Sequence, residues 1–427
     1  MNSSTPALTQ GDLPSMVARQ AILDRDKKLF GYELLFRAKL SDHSANISDG
    51  DAATARVIMQ ALVDIGMERL VGQGVALINM TRRLLVEHEL LPISGKRLGL
   101  EILESEAIDD ELVNCVRELA RRGYLIVLDD FVLGEETPQL VALLELADLI
   151  KLEIPGRSDA DLAATIARLR RYRAKLLAEK VETYADFQHC LALGFDLFQG
   201  YFFCRPEVIG EGNVSETGLS VMRLLAALEN PDNGPKELEN IITADAVLSY
   251  RLLRLVNSAY FGLSSSVSSL RHAIIYLGIG NIRNWVRILA LARIENRPAE
   301  LLKAALVRAR MCEQLTTGGK PNPRGEMAFM TGLFSMLDAL LNAPMEELLD
   351  NLALPEEVAA AIGHGEGPFA DLLEQVQACE RAQWERLEEW DASPVLLAYT
   401  YLGAVEWADQ MFGFGTAPID EPATARR

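Results

Sequence analysis

From residue 17 to about 205 the chain alternates short, nearly unbroken apolar runs with stretches of helical periodicity, and this alternation constrains the fold more than any other feature. Strands buried on both faces read as continuous apolar runs, as Leu125-Ile126-Val127-Leu128 and Leu176-Leu177-Ala178 do, and such strands form parallel sheets covered by helices. Strands are predicted over 17–24 and 29–37, paired through the turn Asp24-Arg25-Asp26-Lys27-Lys28, and then over 75–79, 97–103, 125–129, 149–152, 175–179 and 197–199. Helices are predicted over 52–68, 109–122, 159–173 and 184–193. The expected class is α/β, a closed TIM-like (β/α) barrel, with an open doubly wound sheet as the rival arrangement.

Beyond about residue 216 the alternation stops and only helical periodicity remains, over 216–228, 235–243, 246–257, 268–277, 281–291, 301–316, 324–341, 345–352, 369–389 and 394–412. A chain of 427 residues with 49% hydrophobic content exceeds one ordinary domain. The expected division is a disordered tail over 1–14, a barrel domain over 15–206, an all-α helical domain over 207–415 and a second disordered tail over 416–427. No apolar run reaches membrane-spanning length and no signal segment opens the chain, so a cytoplasmic protein with no membrane association is expected. The five cysteines are scattered and form no C-x-x-C pair, which argues against a disulfide framework or a zinc site. A net charge of −19 repels polyanions and makes long nucleic acid an unlikely partner.

In the first half the polar residues Asn79, Glu101, Asp129, Asp130, Lys151, Glu179, Glu182 and Gln199 fall at or near the ends of predicted strands. The C-terminal strand ends of a barrel make a single face, where these side chains would meet. One acid at a strand end is as readily a helix cap or a solvated group. Recurrence at so many strand ends favours a cluster. Its carboxylates are hard donors that would repel one another without a cation, and Mg2+ or Mn2+ suits them. Two such ions would bind a phosphodiester and activate a bridging water, which Lys151 could orient.

These residues carry a resemblance. Residues 17 to 206 resemble an EAL domain, the barrel family that hydrolyses cyclic di-GMP to its linear dinucleotide with two Mg2+ or Mn2+ ions. The signature glutamate falls at Glu33 in Glu33-Leu34-Leu35-Phe36-Arg37, where Leu34 replaces the usual alanine. The resemblance implies Arg37 and Gln20 as substrate contacts, with Glu33, Asn79, Glu101, Asp129, Asp130 and Glu179 as metal ligands. Lys151 would stand next to the nucleophilic water, Glu182 and Gln199 would complete the site around it, and Glu104 would brace the loop after the aspartate pair. That loop departs from the family pattern: Phe131-Val132-Leu133-Gly134 stands where Phe-Gly-Thr-Gly is usual, and Leu103 replaces a threonine. In the family this loop links dimerisation to metal binding. The entry motif Gln20-Ala21-Ile22 lacks the usual proline, and Lys180 replaces a glycine between Glu179 and Glu182.

The helical half resembles the HDOD domain, a non-catalytic relative of HD phosphohydrolases. The matching segments are Leu252-Leu253-Arg254-Leu255-Val256-Asn257-Ser258-Ala259-Tyr260-Phe261-Gly262 and Ser268-Ser269-Leu270-Arg271-His272-Ala273 onward. His272 and His364 are too few for a metal-dependent HD site, and no histidine precedes an aspartate in Thr331-Gly332-Leu333-Phe334-Ser335-Met336-Leu337-Asp338. Asn257 reads either as part of a binding loop or as a helix cap. Arg271, Arg283 and Arg287 read as a basic patch or, more simply, as a solvated helix face. The tryptophans Trp285, Trp384, Trp390 and Trp407 read as core or docking residues. The leading expectation is a cyclic di-GMP phosphodiesterase with an HDOD output module that binds a protein partner, and a homodimer is possible. A silent cyclic di-GMP receptor, a protein scaffold and a phosphodiesterase of another substrate are the alternatives.

Overall fold

The computed structural model describes residues 16–37, 67–86, 97–103, 108–129, 137–206, 215–258, 260–262, 267–294, 297–318, 322–390 and 393–416. Glu104, Asp130, the 131–136 loop, residues 52–66 of the first expected helix, the 1–14 tail and residues 417–427 lie outside them.

Eight strands close a barrel in chain order: β1 (Met16–Asp24), β2 (Leu29–Arg37), β3 (Val75–Met80), β4 (Leu98–Leu103), β5 (Leu125–Asp129), β6 (Leu149–Glu153), β7 (Lys175–Glu179) and β8 (Leu197–Gln199). β1 runs antiparallel to both its neighbours, β2 and β8, because the turn at 24–28 reverses the chain. Every other neighbouring pair is parallel. The sheet is therefore closed, not doubly wound.

Side chains alternate across each strand, so each supplies one set to the barrel interior and one to the surrounding helices. Inside, Ile22, Leu77, Val127, Leu149, Leu177 and Leu197 form one apolar layer. Gly99 belongs to that layer by register, and a Cβ there would collide with the Leu77 side chain. Outside, Leu23, Ile78, Leu100, Leu128, Ile150, Leu176 and Phe198 pack in the larger core against helices such as Asp110–Arg121 and Tyr184–Leu193. Two residues beyond the apolar layer, one turn of the pleat, the interior becomes polar.

The connections above that level are fixed by helix caps. Asp109, Thr137, Ser158 and Thr183 each accept a hydrogen bond from a backbone N–H of the helix that follows β4, β5, β6 and β7 respectively. At Thr183 the cap is reciprocal, with Asp186 accepting from the Thr183 N–H.

The chain divides into two compact units, one of residues 1–203 with 377–403, the other of residues 204–376 with 404–427. The second unit is built of helices. Three α-helices unmarked in the sequence reading, Arg82–Val86 and Pro138–Leu146 in the first unit and Glu356–Gly363 in the second, are present among the described residues. The expected helix over 324–341 is two, Pro323–Phe334 and Leu337–Leu341, and that over 369–389 breaks at Ala382, whose φ is 54°.

Arg287 corrects the reading of a solvated basic face. It is 1% exposed, and its guanidinium grips both carboxylate oxygens of Glu229 at 2.7 Å, with Asn284 as a further partner. Trp285 and Trp407 are buried with ring centroids 5.8 Å apart, and so are core residues. Asn257 closes the loop after its helix by bonding both the N–H and the C=O of Val267, which favours the structural role.

Candidate functional site

All eight strands contribute to one polar layer above the apolar one. Gln20 comes from β1, Glu33 from β2, Asn79 from β3, Glu101 from β4, Asp129 from β5, Lys151 from β6, Glu179 from β7 and Gln199 from β8. Register explains the convergence: Gln20 lies opposite Glu33, Ile22 opposite Gln199, and Asn79 opposite Glu101.

Lys151 is the centre. It is 1% exposed, and its Nζ lies 2.7 Å from Asp129 Oδ1, 2.8 Å from Glu179 Oε1, 3.0 Å from Glu101 Oε1 and 3.2 Å from Glu33 Oε2. Glu33 also accepts from Gln199 Nε2 at 2.6 Å and from Asn79 Nδ2 at 3.2 Å, while Gln199 Nε2 reaches Gln20 Oε1 at 3.0 Å.

Burial and charge oppose one another here. Burial favours the neutral form of Glu33, but the Lys151 charge and the bonds from Gln199, Lys151 and Asn79 outweigh it and hold the carboxyl below its usual range. Glu101 lies well above that range, first because it is fully buried and then because the Glu33 and Asp129 charges repel its ionised form. Burial likewise raises Glu179, to about 7, against the pull of Lys151. For Lys151 itself desolvation is outweighed by the surrounding carboxylates, so the ammonium stays charged.

Four carboxyl groups surround a single ammonium, so the layer has acceptor capacity to spare. Asn79 Oδ1 and Glu101 Oε2 are buried and accept no hydrogen bond from a described residue. This donor set suits a hard divalent cation. Among the described residues, however, no group of three or more His, Cys, Asp or Glu side chains stands in metal-ligating geometry, and the carboxyls gather on Lys151 instead.

Glu182 is exposed, set beyond the buried Val181. Lys180, standing where a glycine was expected, has φ 56°, the left-handed region that favours glycine, and its ammonium pairs with Glu153. Arg37 ends β2, and its side chain, like Asp130 and Glu104, lies outside the description. Sequence reading did not anticipate the contacts of Tyr201 and Arg19, which flank Gln199 and Gln20. Tyr201 Oη donates to the Glu380 carbonyl at 3.0 Å, and the Arg19 N–H donates to Tyr401 Oη at 3.2 Å. No local pattern signals partners so distant in sequence.

A barrel with this polar mouth, joined to a helical unit, defines a class that comparison makes specific. The EAL domain family matches residues 16–206 and the HDOD domain family residues 218–353. The chain belongs to the family of proteins that join an EAL domain to a C-terminal HDOD domain. It is 34% identical over 377 residues to the cyclic di-GMP phosphodiesterase CdgJ of Vibrio cholerae, covering 87% of this chain and 86% of that protein. It is 30% identical over 404 residues to YuxH of Bacillus subtilis, an uncharacterized protein, covering 92% of this chain and 98% of the relative. A solved phosphodiesterase, PaMucR in complex with c-di-GMP, is 22% identical with a TM-score of 0.38, over 45% of this chain and 96% of that one. Among the described residues no helix is long and apolar enough to cross a membrane.

Proposed function

We propose that the barrel mouth hydrolyses cyclic di-GMP to the linear dinucleotide in a metal-dependent reaction. The observation that carries this reading is the convergence of one polar side chain from every strand on a single buried layer in which carboxyls outnumber cations. The kinship with a protein named as a cyclic di-GMP phosphodiesterase supports the choice of substrate.

Glu33, Asn79, Glu101 and Asp129, joined by Asp130 and Glu179, would hold two Mg2+ or Mn2+ ions. Those ions would offset the phosphodiester charge and make a bound water acidic enough to attack at neutral pH. Lys151, charged and buried, would orient that water and counter the charge that develops on the phosphate. Gln199 holds Glu33 in place through its 2.6 Å bond, and Glu182 would reach the water from the rim. Gln20 and Arg37 would contact the substrate, and Glu104 would brace the loop after Asp130. The helical domain would be the non-catalytic output module, binding a protein partner. Its two histidines are both exposed and do not supply an HD-type site.

A second reading, a receptor that binds the nucleotide without cleaving it, is favoured by Val132-Leu133 in the loop after the aspartate pair. Chromatography of the product and calorimetry of cyclic di-GMP binding, both with Mn2+ present, separate the two. Linear product supports the enzyme, binding without product supports the receptor, and absence of both sinks the two readings together.

A further inference from the structure

β1 spans nine residues and β8 only three, and this mismatch leaves part of β1 without a strand beside it. β8 pairs with Ile22, Leu23 and Asp24, so among the described residues no strand lies beside the Met16–Ala21 stretch on that side. An open edge of backbone N–H groups in a barrel wall has to be covered or hydrated. The cover comes from the far end of the chain. Tyr401, on the helix Pro394–Thr416, is 4% exposed, and its hydroxyl accepts the bond from the Arg19 N–H at 3.2 Å. Leu402, next to it, packs against the barrel's outer core. On the β8 side the Tyr201 hydroxyl holds the Glu380 carbonyl, and the Arg381 guanidinium lies 5.1 Å from the Tyr201 ring centroid.

Arg19 and Tyr201 are the neighbours of the two glutamines of the polar layer. Gln20 follows Arg19 in β1, and Gln199 precedes Tyr201 by a single glycine. The glutamines bond to each other, and Gln199 holds Glu33. We infer that residues 377–390 and 393–403 form a strap that closes the β1–β8 seam, with Tyr401 and Tyr201 as positioning residues for Gln20 and Gln199. The barrel mouth then depends on chain that follows the HDOD-matched residues 218–353 in sequence. Its consequence for metal binding rests on the function proposed above; the seam closure itself does not.

Hydrogen exchange on the full chain tests the closure. Tyr401→Phe keeps the ring but removes the acceptor, and exchange in peptides covering 16–24 should rise roughly two- to tenfold, the equivalent of one net hydrogen bond. Tyr401→Ala should also raise exchange over 197–203, with 218–353 unchanged in both variants. Unchanged exchange over 16–24 in Tyr401→Ala, or an equal rise over 218–353, would overturn the strap. The positioning role is read from Mn2+ affinity, measured by the paramagnetic resonance of free Mn2+. Tyr401→Phe should weaken Mn2+ binding in the native background and leave it unchanged in Gln199→Ala. Equal losses in both backgrounds would reduce the strap to a structural support. A native protein that binds no Mn2+ would refute the metal reading and overturn the positioning role, and exchange would still decide the closure.

Discussion

Lys151 concentrates the electrostatics of the molecule in one side chain. Four carboxyl groups share its buried ammonium, and removing one partner of a buried ion pair leaves uncompensated charge. Lys151→Met should lower stability by about 3–5 kcal/mol in the presence of a chelator, measured by urea denaturation. Mn2+ should restore the variant by more than it stabilises the native protein. Lys180 offers the opposite case. A left-handed backbone costs a non-glycine residue about 1–2 kcal/mol, and the exposed pair with Glu153 returns little of it. Lys180→Gly should raise stability by about 1 kcal/mol by the same measurement. Both positions were legible in the sequence, Lys151 as the charge inside an apolar strand and Lys180 as a departure from the family's glycine. Arg287 was not, because the carboxylate that buries it, Glu229, lies on another helix and no spacing rule connects them.

At the scale of elements, the strands were the most readable part of the chain. β5, β7 and β8 carry the bounds read from sequence, since strands covered on both faces must be apolar throughout. The helix Pro138–Leu146 went unread although Thr137 and Pro138 form a proper cap and first turn, because its apolar residues show little amphipathic contrast. The short β8 is held from behind. Phe198 and Phe202 sit 4.7 Å and 4.8 Å from the Phe187 ring, and Gly200 lets the chain pass against the Val181 backbone at φ 149°. A Cβ at Gly200 would strike the Val181 carbonyl oxygen. Gly200→Ala should therefore cost about 3 kcal/mol or more in chemical denaturation and displace Gln199 from Glu33. In the helical unit, the Glu229–Arg287 pair ties helix Glu216–Glu229 to helix Ile279–Leu291. Arg287→Met should cost about 3–5 kcal/mol, and adding Glu229→Leu should recover most of it, because the pair's main cost lies in breaking it singly.

For the whole molecule, the sequence announced a barrel followed by helices, and family membership agrees with that order. It did not announce that residues 377–403 belong with the barrel, since such packing depends on side chains such as Tyr401 and Leu402 that read locally as an ordinary apolar helix face. A net charge of −19 leads us to expect no binding to duplex DNA at physiological salt, which fluorescence anisotropy would detect. The central claim is that side chains from separate strands of the barrel act as one catalytic centre. The most direct test is turnover of cyclic di-GMP with Mn2+ by the native protein and by Glu33→Ala, Glu101→Ala and Glu179→Ala, each taken from a different strand and each confirmed as folded. Linear dinucleotide from the native protein, and none above background from any of the three, is the predicted result. Product formed at the native rate by any one of them would contradict it.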